Sequence, residues 1–123
     1  MKLEQFEKQQ YLSIETFRKN GLGVKTPVWF VREGDALFVW TDAGSGKAKR
    51  IRNNGTVKVA PSTGSGTPVG EWLPAHAAVD ESPETISHLE TLMKKKYGIM
   101  FHIFGFLGRM RKGSEHTAVK IQV

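Results

Sequence analysis

The chain of 123 residues contains no cysteine. That absence removes disulfides, thiolate nucleophiles and cysteine-ligated metal centres from consideration. Long apolar runs are missing as well, since no window approaches the roughly 18 residues that a membrane-crossing helix needs. The opening MKLEQFEKQQ lacks the apolar stretch of a secretory signal, so a soluble, cytoplasmic protein is expected. Acidic residues are scarce beside basic ones, 12 against 18, and the formal net charge is +6. Such a balance suits an anionic partner, whether nucleic acid, a membrane surface or a phosphorylated small molecule.

Several reactive signatures are absent too. The glycine spacing matches neither the Walker loop nor the dinucleotide fingerprint, and no nucleophile elbow appears. His76, His88, His102 and His116 stand 12, 14 and 14 residues apart, without the short spacing of a local metal pair. Ser45 has no base near it in sequence, and Glu81 with Glu84 charge a helix start more simply than they form an acid/base pair. No catalytic residue is therefore assigned. If the chain is an enzyme, a cofactor carries the reactive centre and the protein supplies orientation and electrostatics.

What remains is ordinary globular composition, 39% hydrophobic and 24% charged, at a length that fits a single domain over residues 1–123. YLSIETF (11–17) alternates and precedes Asn20-Gly21, which predicts a strand entering a hairpin. VKTPVWFVREGDALFVWT (24–41) holds two β-prone segments joined by Glu33-Gly34-Asp35. Pro27 interrupts the first, and a strand proline belongs at an edge or bulge, where backbone becomes available to a ligand. TVKVAPST predicts a fourth strand ended by Pro61, GEWLPAHAAVD (70–80) a fifth with a break at Pro74, and HTAVKIQV a last one. Ser82-Pro83 starts the clearest helix, over 82–97, in which Ile86, Leu89, Met93 and Tyr97 recur at helical spacing. Residues 99–110, IMFHIFGFLGRM, are densely apolar and too short to span a bilayer. They suit a dimer interface, a lid over a ligand or a peripheral membrane contact. Six strands with irregularly placed short helices favour a small closed or split barrel over a parallel α/β fold.

The most informative stretch is Trp40–Asn54, WTDAGSGKAKRIRNN. An apolar strand ends at Thr41, and a Gly-Ser-Gly turn places Ser45 at a helix N-cap just before Lys47, Lys49, Arg50 and Arg52. Exposed N–H donors and cations in the first helical turns together make a phosphate or carboxylate site. Between Lys25 and Lys58 there are seven Lys or Arg against three acids, so the charge is clustered. Trp29 and Trp40 flank this turn and offer aromatic planes to a planar cofactor or to nucleic-acid bases, or else belong to the core. With the basic turn, the pair favours a planar phosphorylated ligand over nucleic acid.

TPVWFVREGDALFVWT (26–41), followed by SGKAKRIRNN (45–54) and TVKVAP (56–61), resembles the split-barrel oxidoreductases related to pyridoxamine 5'-phosphate oxidase, especially the branch using the deazaflavin coenzyme F420. The resemblance implies a mainly β, six-stranded split barrel with short peripheral helices, acting as a homodimer with the flavin or deazaflavin in an interface groove. It implies a phosphate held by Ser45, Gly46, Lys47 and Lys49, a ring beside Lys25, Thr26, Pro27, Val28 and Trp29, and Thr41 reaching the ribityl or phosphate portion. The expected reaction is hydride transfer from reduced F420 to a conjugated small molecule, with a separate enzyme supplying reduced cofactor. FMN is the alternative cofactor, and a non-catalytic flavin, deazaflavin or haem carrier the alternative role. The arginine beside the lysine of the oxidase's phosphate turn is replaced here by Gly46, and no match to its pyridoxal-phosphate-binding pattern is found, so vitamin B6 oxidation is not expected.

Overall fold

The computed structural model describes residues 2–98 and 116–123. Six antiparallel strands, β1 Tyr11–Phe17, β2 Gly23–Glu33, β3 Ala36–Asp42, β4 Thr56–Ser62, β5 Leu73–Asp80 and β6 His116–Gln122, close into a barrel in the order β1-β2-β3-β6-β5-β4. Helix α1 (Gly46–Asn53) joins β3 to β4, and α2 (Pro83–Tyr97) follows β5. The expected six-stranded mainly β barrel is thus observed. Residues 99–110, whose apolar character suggested an interface, lid or membrane contact, lie outside the described residues. No helix among the described residues is long and apolar enough to cross a membrane.

Strand alternation builds the core. Leu12 and Ile14 of β1, Phe30 of β2, Leu37 and Val39 of β3, Val57 and Val59 of β4 and Ile121 of β6 all point inward and are buried. Ile51 of α1 joins them, as do Leu3 and Phe6 of a 3-10 helix at Lys2–Phe6, where Phe6 meets Phe30 edge-on at 5.7 Å.

The three strand prolines explain how the ladder tolerates them. Pro27 and Pro61 each face a neighbour on β1, while on the opposite side the ladder has already stopped. Pro61 therefore does not end β4, as its sequence suggested; the strand runs through it to Ser62, past the last β5 partner, and its carbonyl accepts instead from Val69 N–H at 2.8 Å. Pro74 pairs with Lys58 on one side, and β6 reaches only as far as His76 on the other. The fifth strand accordingly runs unbroken from Leu73, three residues later than Gly70.

Helix α2 covers the outer face of β2, β3 and β6. Ser82 caps it by accepting from Thr85 N–H at 3.3 Å, Pro83 occupies the first turn, and Asp80 accepts from Ser82 N–H and Thr85 Oγ1, both at 2.9 Å. Those hydrogen bonds hold the Asp80 carboxyl below its ordinary pKa. Leu89, Met93 and Tyr97 line the buried face, packed on Val31, Ala118, Trp29, Phe38 and Trp40.

Candidate functional site

The pairing register opens a split in the barrel wall. Residues 23–29 of β2 pair only with β1, whereas Phe30–Glu33 pair with β3. On β3, Trp40–Asp42 pair with β6 alone. Beyond the Phe30–Val39 pair the two strands part, leaving one lip formed by residues 23–29 and another by residues 40–42. Phe30 turns its N–H toward the β1 side, where Tyr97 Oη accepts it at 3.0 Å. By strand alternation Lys25 and Pro27 then turn their backbone groups toward the split, where the missing N–H of Pro27 forfeits no ladder bond.

The turn after β3 is tied down at several points. Ser45 N–H donates to Asp42 O at 3.0 Å, Gly44 N–H to Asp42 Oδ1 at 3.0 Å, and Ser45 Oγ lies 3.5 Å from Thr41 Oγ1. Arg52 holds the same turn from behind, donating to Ala43 O at 2.9 Å while pairing with Glu81. Ser45 is the N-cap, accepting from Ala48 N–H at 3.1 Å. The amides of Gly46 and Lys47, in the first turn, have no intrahelical acceptor. Buried Ala48 and Ile51 fix the helix against the barrel, which turns Lys47 and Arg50, one turn apart, to a common side.

Arg50 spans from α1 to β1, its Nε donating to Thr16 Oγ1 at 2.6 Å. Thr16 is itself the ladder partner of Val24 in the β2 lip. With Ser45 at Thr41 and Arg50 at Thr16, the first turns of α1 run from one lip toward the other. The guanidinium also lies over Gly46: a Cβ there would stand 2.8 Å from an Arg50 terminal nitrogen, so glycine leaves that approach clear.

Electrostatics single out this pair. Burial and the neighbouring Arg50 charge push the Lys47 ammonium below its ordinary pKa. Among the described residues no carboxylate pairs with either cation. Two adjacent, partly desolvated cations repel one another and lose hydration, a cost that an anion bound between them offsets. A second orphan lies on the β2 lip, where Thr26 Oγ1 is buried without a hydrogen-bond partner among the described residues.

Not every residue singled out in the sequence converges here. Thr41, Ser45, Gly46 and Lys47 come together at the turn, and Lys25, Thr26 and Pro27 form part of the facing lip. Val28 points into the core. The Trp29 ring stacks on Tyr97 at 4.3 Å with an interplanar angle of 7°, and Trp40 packs under α2, so both indoles serve helix docking. Lys25 Nζ sits 5.2 Å from the Trp72 ring centroid. Lys49 lies on another side of α1, in a hollow shared with Arg18 and Lys19. Arg50 and Thr16 carry the site without having been assigned to it. The three-residue spacing of Lys47 and Arg50 was readable, but the β1 contact was not. His76, on β5 and across the barrel from β2, and His88, on α2 and 2.6 Å from Glu33 at the far end of β2, stand apart from the split. No cluster of metal-ligating side chains occurs among the described residues.

No family model matches the sequence, and no curated protein matches it significantly. Solved structures do match the fold. HutZ, the heme storage protein from Vibrio cholerae, superposes with a TM-score of 0.72 at 16% identity, over 97% of this chain and 84% of its own. A protein from Listeria innocua, provisionally described as a pyridoxamine 5'-phosphate oxidase, gives 0.66 at 13% identity, covering 97% and 87%. An F420 reductase gives 0.63 at 15% identity, covering 98% and 90%. The chain therefore has the fold of the pyridoxamine 5'-phosphate oxidase-like split barrels, a fold shared by oxidoreductases and a heme storage protein.

Proposed function

We propose that this protein is a reductase that binds coenzyme F420 in the split and transfers a hydride to a conjugated small-molecule acceptor. The observation that carries the reading is the Lys47–Arg50 pair, partly buried and without a carboxylate partner among the described residues, beside open amides at the start of α1. That donor set fits a phosphate. Similarity of fold to an F420 reductase supports a deazaflavin as the group that bears it, and FMN, which carries the same phosphate, is the alternative.

In this reading Lys47, the Gly46 and Lys47 amides and Arg50 hold the phosphate, with Thr41 beside the chain that leads to the ring. The backbone groups of Lys25 and Pro27, which face the split, would line the position of the ring. Held there, a reduced deazaflavin would supply a hydride to the electron-poor carbon of an enone or quinone, the proton coming from solvent. The residues bind and orient, and the reactive chemistry belongs to the cofactor. The protein works as a homodimer whose second copy completes the groove, and a separate enzyme regenerates the reduced cofactor.

Anaerobic assay with chemically reduced F420, then reduced FMN, against a panel of enones and quinones tests the proposal. Repeated turnovers per subunit are expected with F420. Tight binding of both cofactors without turnover establishes a carrier instead, and absence of binding removes the reading.

A further inference from the structure

A cationic hollow lies on another side of α1 from Lys47 and shares only Arg50 with the candidate phosphate site. It has a volume of about 480 Å³ and is walled by Arg18, Lys19, Lys49 and Arg50, with Phe17 and two asparagines completing the lining and no acidic residue among them. None of these four cations has a carboxylate partner among the described residues.

The frame of the hollow is fixed. Arg18 and Lys19 sit on the β1–β2 turn, which is closed by Arg18 N–H to Leu22 O at 2.9 Å, Gly21 N–H to Arg18 O at 2.8 Å and Leu22 N–H to Asn20 Oδ1 at 3.0 Å. Gly21, at φ +87°, supplies the left-handed residue that this turn needs. Opposite, Arg50 is anchored by Thr16, and Asn54 Oδ1 already accepts from Thr56 N–H at 3.1 Å, leaving its amide hydrogens as donors. The wall thus offers donors and positive charge from two elements held in fixed relation.

We propose that this hollow binds an oligophosphate chain, as a ligand separate from the cofactor. A lone carboxylate would neutralise one of four converging cations, whereas an oligophosphate places several negative charges within one compact chain. Arginine forks also match phosphate oxygens in geometry. The chain could come from free inorganic oligophosphate or from a nucleotide.

Calorimetric titration of the full-length protein with inorganic triphosphate at low salt tests this. With the cofactor's phosphate position filled by saturating F420, saturable binding to one remaining site per subunit is expected, weakening with salt because exposed charges are screened. Arg18→Ala/Lys49→Ala should weaken it by at least about tenfold, two charge-assisted contacts being lost. Lys47→Ala should leave it within about twofold, since Lys47 does not line the hollow. Arg18 and Lys49 are exposed, so the double variant should fold, and circular dichroism confirms that; Lys19→Ala provides a second reading. A nucleoside triphosphate that binds more tightly than triphosphate names a nucleotide source, and equal affinity names the free chain. The proposal is overturned by absence of saturable binding, by citrate binding as tightly as triphosphate, or by equal losses in Lys47→Ala and the double variant. The F420 reading survives each of those outcomes, because cofactor binding is measured separately.

Discussion

Two side chains show how far single residues carry this molecule. Tyr97 lies where the β1–β2 ladder would continue: its hydroxyl accepts from Phe30 N–H at 3.0 Å and donates to Gln10 O at 2.6 Å, while Lys96 Nζ satisfies Phe30 O at 2.8 Å. Burial raises the Tyr97 phenol far above its ordinary pKa, so it remains a neutral donor and acceptor. Removing only the hydroxyl in Tyr97→Phe strands buried backbone groups while keeping the stack on Trp29. A loss of about 1–3 kcal/mol is expected on that basis. Urea denaturation measures it, and an unchanged midpoint would show that water replaces the hydroxyl without cost. Burial likewise lowers the Lys96 ammonium, to about 8. Lys96 binds fewer protons in the folded chain than in the unfolded one between about pH 8 and its ordinary value. Its contribution therefore favours folding increasingly as pH rises through that window.

At the scale of elements, most of the architecture was legible because pattern and breakers agreed. β1 matches YLSIETF, α2 begins one residue inside the Ser82-Pro83 signal, and the Gly34 turn, at φ +61°, separates β2 from β3. Proline was the poorer guide. Pro61 and Pro74 read as breaks because a sequence does not reveal which neighbouring strand has already stopped, and it is this that makes a missing N–H harmless. The candidate site was half legible for the same reason. The Ser45 cap and Lys47 are local in sequence and could be read directly. The Thr16–Arg50 bond joins residues 34 apart, and the outward turn of Trp29 and Trp40 depends on where α2 docks. Lys49 stands two residues from Lys47, a spacing that a helix sends to different sides, so charge clustering in sequence merged cations of two helix sides into one group.

For the whole molecule, the barrel is closed in strand order yet open between two lips, and that opening is the feature on which the proposed function rests. A groove completed by a second copy accords with the apolar content of residues 99–110 in the sequence. Sedimentation at micromolar concentration should give twice the 13.7 kDa chain mass, and a monomer that still binds cofactor stoichiometrically would contradict the shared groove.

Fluorescence titration of F420 into the wild-type protein and Lys47→Ala, repeated across pH, tests the central claim most directly. Wild-type binding should saturate, and Lys47→Ala should weaken it by about tenfold or more, the scale of one charge-assisted phosphate contact, with the fold retained. Because Lys47 titrates below an ordinary lysine, wild-type affinity should fall as alkaline pH strips that proton, and the variant should lose this dependence. Equal affinity in the two proteins, with the same pH profile, would contradict the assignment of the split and its lysine as the phosphate site.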